Sequence, residues 1–346
     1  MRVICSVVLA LILFAVPVAA IDLEAPAAPE SVIEIIPDTS KSLGQGILSV
    51  LRDAAAYAYP DLKECGAVCL CLIVICVIFS LLQALTEMSQ MAATITGVSA
   101  ITLVLLKASN SLINLSLTTV QEISEYSKLL FPVLAASLAA QGGVTASTQL
   151  YAATAVLTTA LSSAISVVLK PAICVFLALS IASCAFPEKV LKTCRDFCKN
   201  TLIWIIKIIL YVFTGYISIT GVISGTTDAM ALRATKITIS GVVPVVGGIL
   251  SDASEAILVS AGMVKNAIGI YGLFVIMALQ LRPFIQIGVH YLLLKMTAAL
   301  CSAMNTDSLS RLIESFSDAM GILLAVSGAT GLMLMVSIIC FLKGAG

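Results

Sequence analysis

Residues Gly221–Ala253 read GVISGTTDAMALRATKITISGVVPVVGGILSDA and carry Asp228, Arg233, Lys236 and Asp252. Charges at that density exclude an ordinary membrane span, yet the stretch sits among runs apolar enough to be spans. Gly221, Gly225, Gly247 and Gly248 free the backbone to turn, and Pro244 lacks the N–H that a helix needs. Non-helical backbone at membrane depth persists only where protein or water satisfies its polar groups. The reading is a surface helix followed by a re-entrant or buried turn, packed on a bundle of spans.

The rest of the chain supplies that bundle. Of 346 residues, 60% are hydrophobic and 11% charged, and the mean hydropathy is +1.11. Soluble domains carry about 25% charged residues, so the expected fold class is all-α: a polytopic helical bundle of about seven to nine spans. The net charge is zero, which gives no basic patch for nucleic acid. The cysteines lie mostly inside apolar runs, where they act as small hydrophobes. Cys65-x3-Cys69-x-Cys71 and Cys194-x3-Cys198 lack histidine partners and zinc spacing, so no metal or cofactor is expected.

Taken in order, residues 1–20 form a signal sequence. Arg2 is the basic start, Val3–Val16 the apolar core and Val18-Ala19-Ala20 the small-residue cleavage site. Residues 21–64 carry eight acids against three bases and suit an extracytoplasmic region. Within them Leu43, Ile47, Val50, Leu51 and Ala54 mark an interfacial amphipathic helix. Residues 65–346 form the transmembrane domain. Expected spans are Gly66–Leu85, Met91–Leu106 extended to Ser109, two within Leu129–Leu169, Ala172–Phe186 and Thr201–Ser224. Ala267–Leu281 and Pro283–Leu300 make a hairpin around Arg282-Pro283, and Ala319–Leu342 is the last span. Ser109–Lys128 and Cys301–Asp318 read as polar connectors. Pro187–Asn200 is the most basic loop and so cytoplasmic. Nine crossings from an outside N-terminus then put Cys301–Asp318 and Gly221–Ala253 outside.

Candidate chemistry is sparse. Hydroxyl residues between Ser137 and Ser166 suit close helix packing, with a wet path as the alternative. Lys207, inside a span, is a candidate intramembrane polar group needing a buried partner or an aqueous cavity, unless it snorkels. Ser224 with His290 would suit an intramembrane serine protease, but two residues rather than one separate Gly221 from Ser224. His290 reads instead as a packed helix residue. Metalloprotease, P-loop and paired-aspartate motifs are absent, so the chain is not expected to be an enzyme.

Four fragments together carry a resemblance: Gly221-x-x-Ser-Gly225-x-x-Asp228, Ala231-Leu-Arg-x-Thr-Lys236, Pro244-Val-Val-Gly-Gly-x-Leu-Ser-Asp-Ala253, and Lys265-Asn-Ala-x-Gly269. The chain resembles the stage III sporulation protein AE family of endospore-forming bacteria over most of its length after residue 20. The resemblance implies a polytopic protein of the mother-cell membrane around the forespore. It implies partners, namely other stage III sporulation membrane proteins and a separate ATPase subunit, in a channel complex needed for late forespore gene expression. It supplies no catalytic residues. Gly221, Gly225, Pro244, Gly247 and Gly248 are then candidates for backbone geometry, and Asp228, Arg233, Lys236 and Asp252 for partner docking or an internal ion pair. A self-contained small-molecule permease is the alternative reading.

Overall fold

The computed structural model describes residues 24–33, 36, 43–85, 90–141, 143–186, 188–242, 247–304 and 306–343. Side-chain surroundings are described for these except 216–261 and scattered positions in 43–62, 84–90 and 161–166. The expected signal sequence therefore lies outside the described residues. The chain is all-helical, with no strand among the described residues. The helices are α1 (Leu43–Leu85), α2 (Gln90–Ala140), α3 (Val144–Ser163), α4 (Lys170–Ala185), α5 (Lys189–Val242), α6 (Gly247–Ala303) and α7 (Asp307–Lys343). A π-helical turn, Ala164–Leu169, joins α3 to α4. Pro171 explains it: the proline has no N–H for the Val167 carbonyl and its ring crowds that oxygen, so the turn widens.

The frame is a bundle of α1, α2, α6 and α7. Helices α6 and α7 form the most extensive pairing and run antiparallel. Ser310 Oγ donates to Ala298 O at 2.7 Å, Ser317 Oγ to Tyr291 O at 2.9 Å, and Gln280 Nε2 to Ser327 Oγ at 2.6 Å. Between lipid-solvated helices the hydrophobic effect offers little, so close packing and such bonds carry association. Gly331 shows how close the helices come, because a Cβ there would lie 2.7 Å from Gln280 Cγ.

Helix α1 runs parallel to α6. Gly46 meets the Phe274 ring, and Ser80 Oγ reaches Met304 O at 3.5 Å. Helix α2 runs parallel to α7. At one end Gly97 meets Phe79 and Leu309; at the other, Phe131 stacks on Phe341 with ring centroids 5.7 Å apart. From residue 97 to 131 a helix rises about 50 Å, against about 30 Å of bilayer hydrocarbon. The bundle is thus longer than the membrane is thick. Phe274, Phe316 and Phe341 are among its fully buried side chains. Helices α3, α4 and α5 pack on its flank.

Six stretches are long and apolar enough to cross a membrane among the described residues: 63–83, 91–140, 167–185, 189–215, 262–303 and 307–343. The difference from the expected seven to nine has specific causes. The connector at 109–128 is helical and continues α2, because Leu112, Ser116, Thr119, Ile123 and Tyr126 form a buried stripe that holds it to the bundle. The hairpin at Arg282-Pro283 is absent, since α6 is one helix with Pro283 inside. Contacts to α7 flank the proline on both sides, at Gln280 and Ser327 and at Tyr291 and Ser317, and outweigh the one bond it removes. The amphipathic segment at 43–59 likewise continues into the first span as α1. Val50 on its apolar stripe is buried.

An uninterrupted α6 also changes sidedness. Lys199 Nζ lies 2.6 Å from Asp318 Oδ2, so 187–200 and 301–318 share one end of the bundle rather than opposite faces. Two outcomes check the fold. Gly331→Leu should cost about 1–3 kcal/mol by overpacking, while Gly66→Ala, with open space around it, should be neutral or stabilising in thermal melts of purified protein. In oriented vesicles, native Cys194, which is exposed, and Asp307→Cys should label from the same side.

Candidate functional site

Helices α5, α6 and α7 meet in a groove of about 660 Å³. Its floor is a face of α7 carrying Gly321, Ala325 and Gly328, and its walls are Phe284 and Tyr291 of α6 with Ile203 and Leu210 of α5. Small residues on α7 leave this space because no side chain fills it: Tyr291 closes over Gly321, and Phe284 over Gly328. At one end the groove is closed by charge. Asp318 takes Lys199 at 2.6 Å and Lys295 at 3.5 Å, and Lys295 also reaches Glu314 at 2.9 Å. Asp318 is the most enclosed of the four, with 20% side-chain exposure. Isolated exposed pairs are worth about 0–1 kcal/mol, but here one carboxylate joins three helices. The cluster pins α5 and α6 to α7 near one end of the bundle. Chemically the arrangement suits holding an apolar segment beside paired charges.

A second feature lies on α2. Lys107, Asn110, Ser111, Asn114, Thr118, Gln121, Glu125 and Lys128 are all exposed and follow one another at steps of one to four residues along a single face. Gln121 Nε2 donates to Glu125 Oε1 at 3.1 Å along it. The stripe covers roughly 32 Å of helix and is neutral through its middle.

The sequence candidates fall as follows. Gly221, Gly225, Asp228, Arg233 and Lys236 lie on α5, helical to Val242, while Gly247, Gly248 and Asp252 open α6. Their side chains, and Pro244 with the expected turn, lie outside the described residues. Lys207, expected to need a buried partner or an aqueous cavity, is exposed on the outer face of α5 with no ion pair among the described residues, so this fold itself covers it with neither. The face it occupies is the one that α5 turns away from α4 and α7. His290 is a packed helix residue, its Nδ1 donating to Gln286 O at 2.9 Å. The hydroxyls of Ser137, Thr154 and Thr158 bond back to their own helices, the close-packing reading. Sequence reasoning missed the ion cluster, whose members are up to 119 positions apart, and the burial of Lys265, which is 3% exposed.

The family described as Stage III sporulation protein AE (spore_III_AE) matches residues 31–345. The chain belongs to that family. It is 24% identical over 270 residues to the stage III sporulation protein AE of Bacillus subtilis (strain 168), covering 77% of this chain and 67% of that one. No solved structure matches. Family membership and the apolar helices together make this a multi-pass membrane protein of sporulation. The matched region takes in α1 to α7, so the ion cluster and the α2 stripe both lie within it.

Asp318→Asn should destabilise this member of the stage III AE family by about 1–3 kcal/mol, since it leaves two lysines without their shared acid, whereas Glu314→Gln should cost under about 0.5 kcal/mol at its exposed position. Thermal melts of Lys199→Asp, Asp318→Lys and the double swap check this, with the swap recovering part of the loss.

Proposed function

We propose that this chain is a membrane subunit of a sporulation-specific channel complex in the mother-cell membrane around the forespore, needed for late forespore development. In this reading it forms part of the wall of a passage or the platform on which the wall is built. Other stage III sporulation membrane proteins complete the complex, and a separate ATPase subunit supplies energy. The chain itself performs no catalysis and binds no cofactor. Residues 1–20 direct it to the membrane, 21–64 begin outside the cytoplasm, and 65–346 form the transmembrane domain. The Gly221–Ala253 segment serves backbone geometry and partner docking.

Family membership supports the sporulation setting, and the α2 stripe carries the channel role. Amides and hydroxyls facing hydrocarbon would each lose hydrogen bonds to water, at a cost of about 1–3 kcal/mol per group on protein scales. A row of them on an apolar helix therefore calls for water or a polar partner along its length. Asn110, Asn114 and Gln121, with Thr118 bonded back to Asn114 O and Leu115 O, form a neutral polar stretch about 16 Å long, roughly half the thickness of a bilayer core, within the longer stripe.

The test is a cysteine scan of α2 in membranes containing the assembled complex, on a background with the native exposed cysteines replaced. Asn114→Cys, Thr118→Cys and Gln121→Cys should react with charged, membrane-impermeant thiol reagents, while Leu112→Cys and Ile123→Cys should stay protected. Protection at all five positions would leave a scaffold and remove the wall. Asn114→Leu combined with Thr118→Leu should lower late forespore reporter expression with the chain still in the membrane.

A further inference from the structure

The outer face of α5 carries a seven-residue repeat that the fold leaves uncovered. Val190, Phe197, Trp204 and Tyr211 recur at every seventh position and are 68%, 72%, 64% and 74% exposed. Three residues after the first three come Thr193, Asn200 and Lys207, again seven apart and all exposed. Two rows offset by three in a seven-residue repeat form the seam of a left-handed helix pair, in which each large residue inserts between four residues of a facing helix. Any one face of an α-helix recurs near every seventh residue; what exposure to lipid does not call for is an Asn and a Lys beside the aromatic row. Across the described residues α5 packs on α3, α4, α6 and α7, with Leu202, Ile206 and Phe213 buried; Thr193 and Phe197, at the edge of the seam, also border the groove between α5 and α4.

Charge decides the occupant. Lys207 lies eight residues, or about 12 Å, beyond Lys199 and its acidic partner, and well inside the apolar stretch 189–215. A lysine left in hydrocarbon costs about 2.5–3.5 kcal/mol on insertion scales. Within 189–215 the one acid is Asp196, already held by Arg195 at 2.7 Å. An α5-on-α5 pair of two copies thus brings no free carboxylate to Lys207: a parallel pair sets Lys207 against Lys207, and an antiparallel pair about Trp204 sets it near Thr201.

We propose that the α5 seam docks a transmembrane helix of a different protein, one whose apolar span carries an aspartate or glutamate opposite Lys207. Phe197, Trp204 and Tyr211 supply the contact area, and Lys207 fixes register by pairing with that acid. The proposal rests on α5 lying in the bilayer; it holds whether or not the assembly conducts anything.

Photo-crosslinking residues placed singly at positions 197, 204 and 211 of the full chain, in membranes of sporulating cells, test it, with 196 and 212 as exposed off-seam positions. Protein adducts should form at 197, 204 and 211 and fall off at 196 and 212. The crosslinked peptide should map to an apolar segment containing Asp or Glu. Lys207→Glu should reduce the yield at 204 by about tenfold or more, since it sets two acids together in the bilayer. Lys207→Arg should preserve the yield, and exchanging the partner's acid for lysine should rescue Lys207→Glu. Adducts between two differently tagged copies would overturn the proposal in favour of self-association. Lipid adducts alone would make Lys207 a snorkelling residue. Yields indifferent to Lys207→Glu would remove the charge pairing. Loss of the channel role with these adducts intact would count against the proposed function and leave the seam standing.

Discussion

The antiparallel contact between α6 and α7 is the constraint on which the other helices depend. It places small residues of α7 under large ones of α6 and ties the two backbones with serine hydroxyls and one buried glutamine. In a bilayer, chain segments gain little from hiding apolar surface, because lipid already solvates it. What remains is shape and the saturation of polar groups. The α6–α7 pair meets both needs, and α1 and α2 then lie along its grooves through glycines that face aromatic or leucine side chains. Even the ion cluster is an extension of the pair: Lys295 and Asp318 belong to it, and Lys199 is how α5 joins.

Much of this was legible in the sequence. Composition left one class open, and the runs of apolar residues located most of the helices. The glycine and charge motifs of 221–253 and 265–269 point to the right family, His290 is the packed helix residue it reads as, and of the hydroxyl residues Ser137, Ser147, Thr154 and Thr158 are buried. The failures share a cause. Local signals such as Pro283 and the polar run at 109–128 suggested breaks, but contacts with distant segments bridged them. A proline removes one hydrogen bond, while the packing on both sides of Pro283 supplies several contacts. Likewise 109–128 is polar on one face only, and the buried stripe of Leu112, Ile123 and Tyr126 is apparent once α2 is seen as continuous. The ion cluster could not be read at all, because no periodicity links position 199 to position 318.

Lys207 shows a different limit. A cation between apolar neighbours reads the same in a sequence whether its own fold or another molecule covers it. Only the packing of α5 separates the two cases, by showing which of its faces is already taken.

The unbroken α6 has a consequence for the chain's far end. Because α6 is one helix and α7 runs back along it, Leu342 comes to rest against Gly269, near the beginning of α6's apolar run. The last turn of α7 and the basic start of α5 therefore lie at opposite ends of the bundle. A domain fused after Lys343 would be carried at the end away from the ion cluster, and one proline's reading decides which end of the bundle that is.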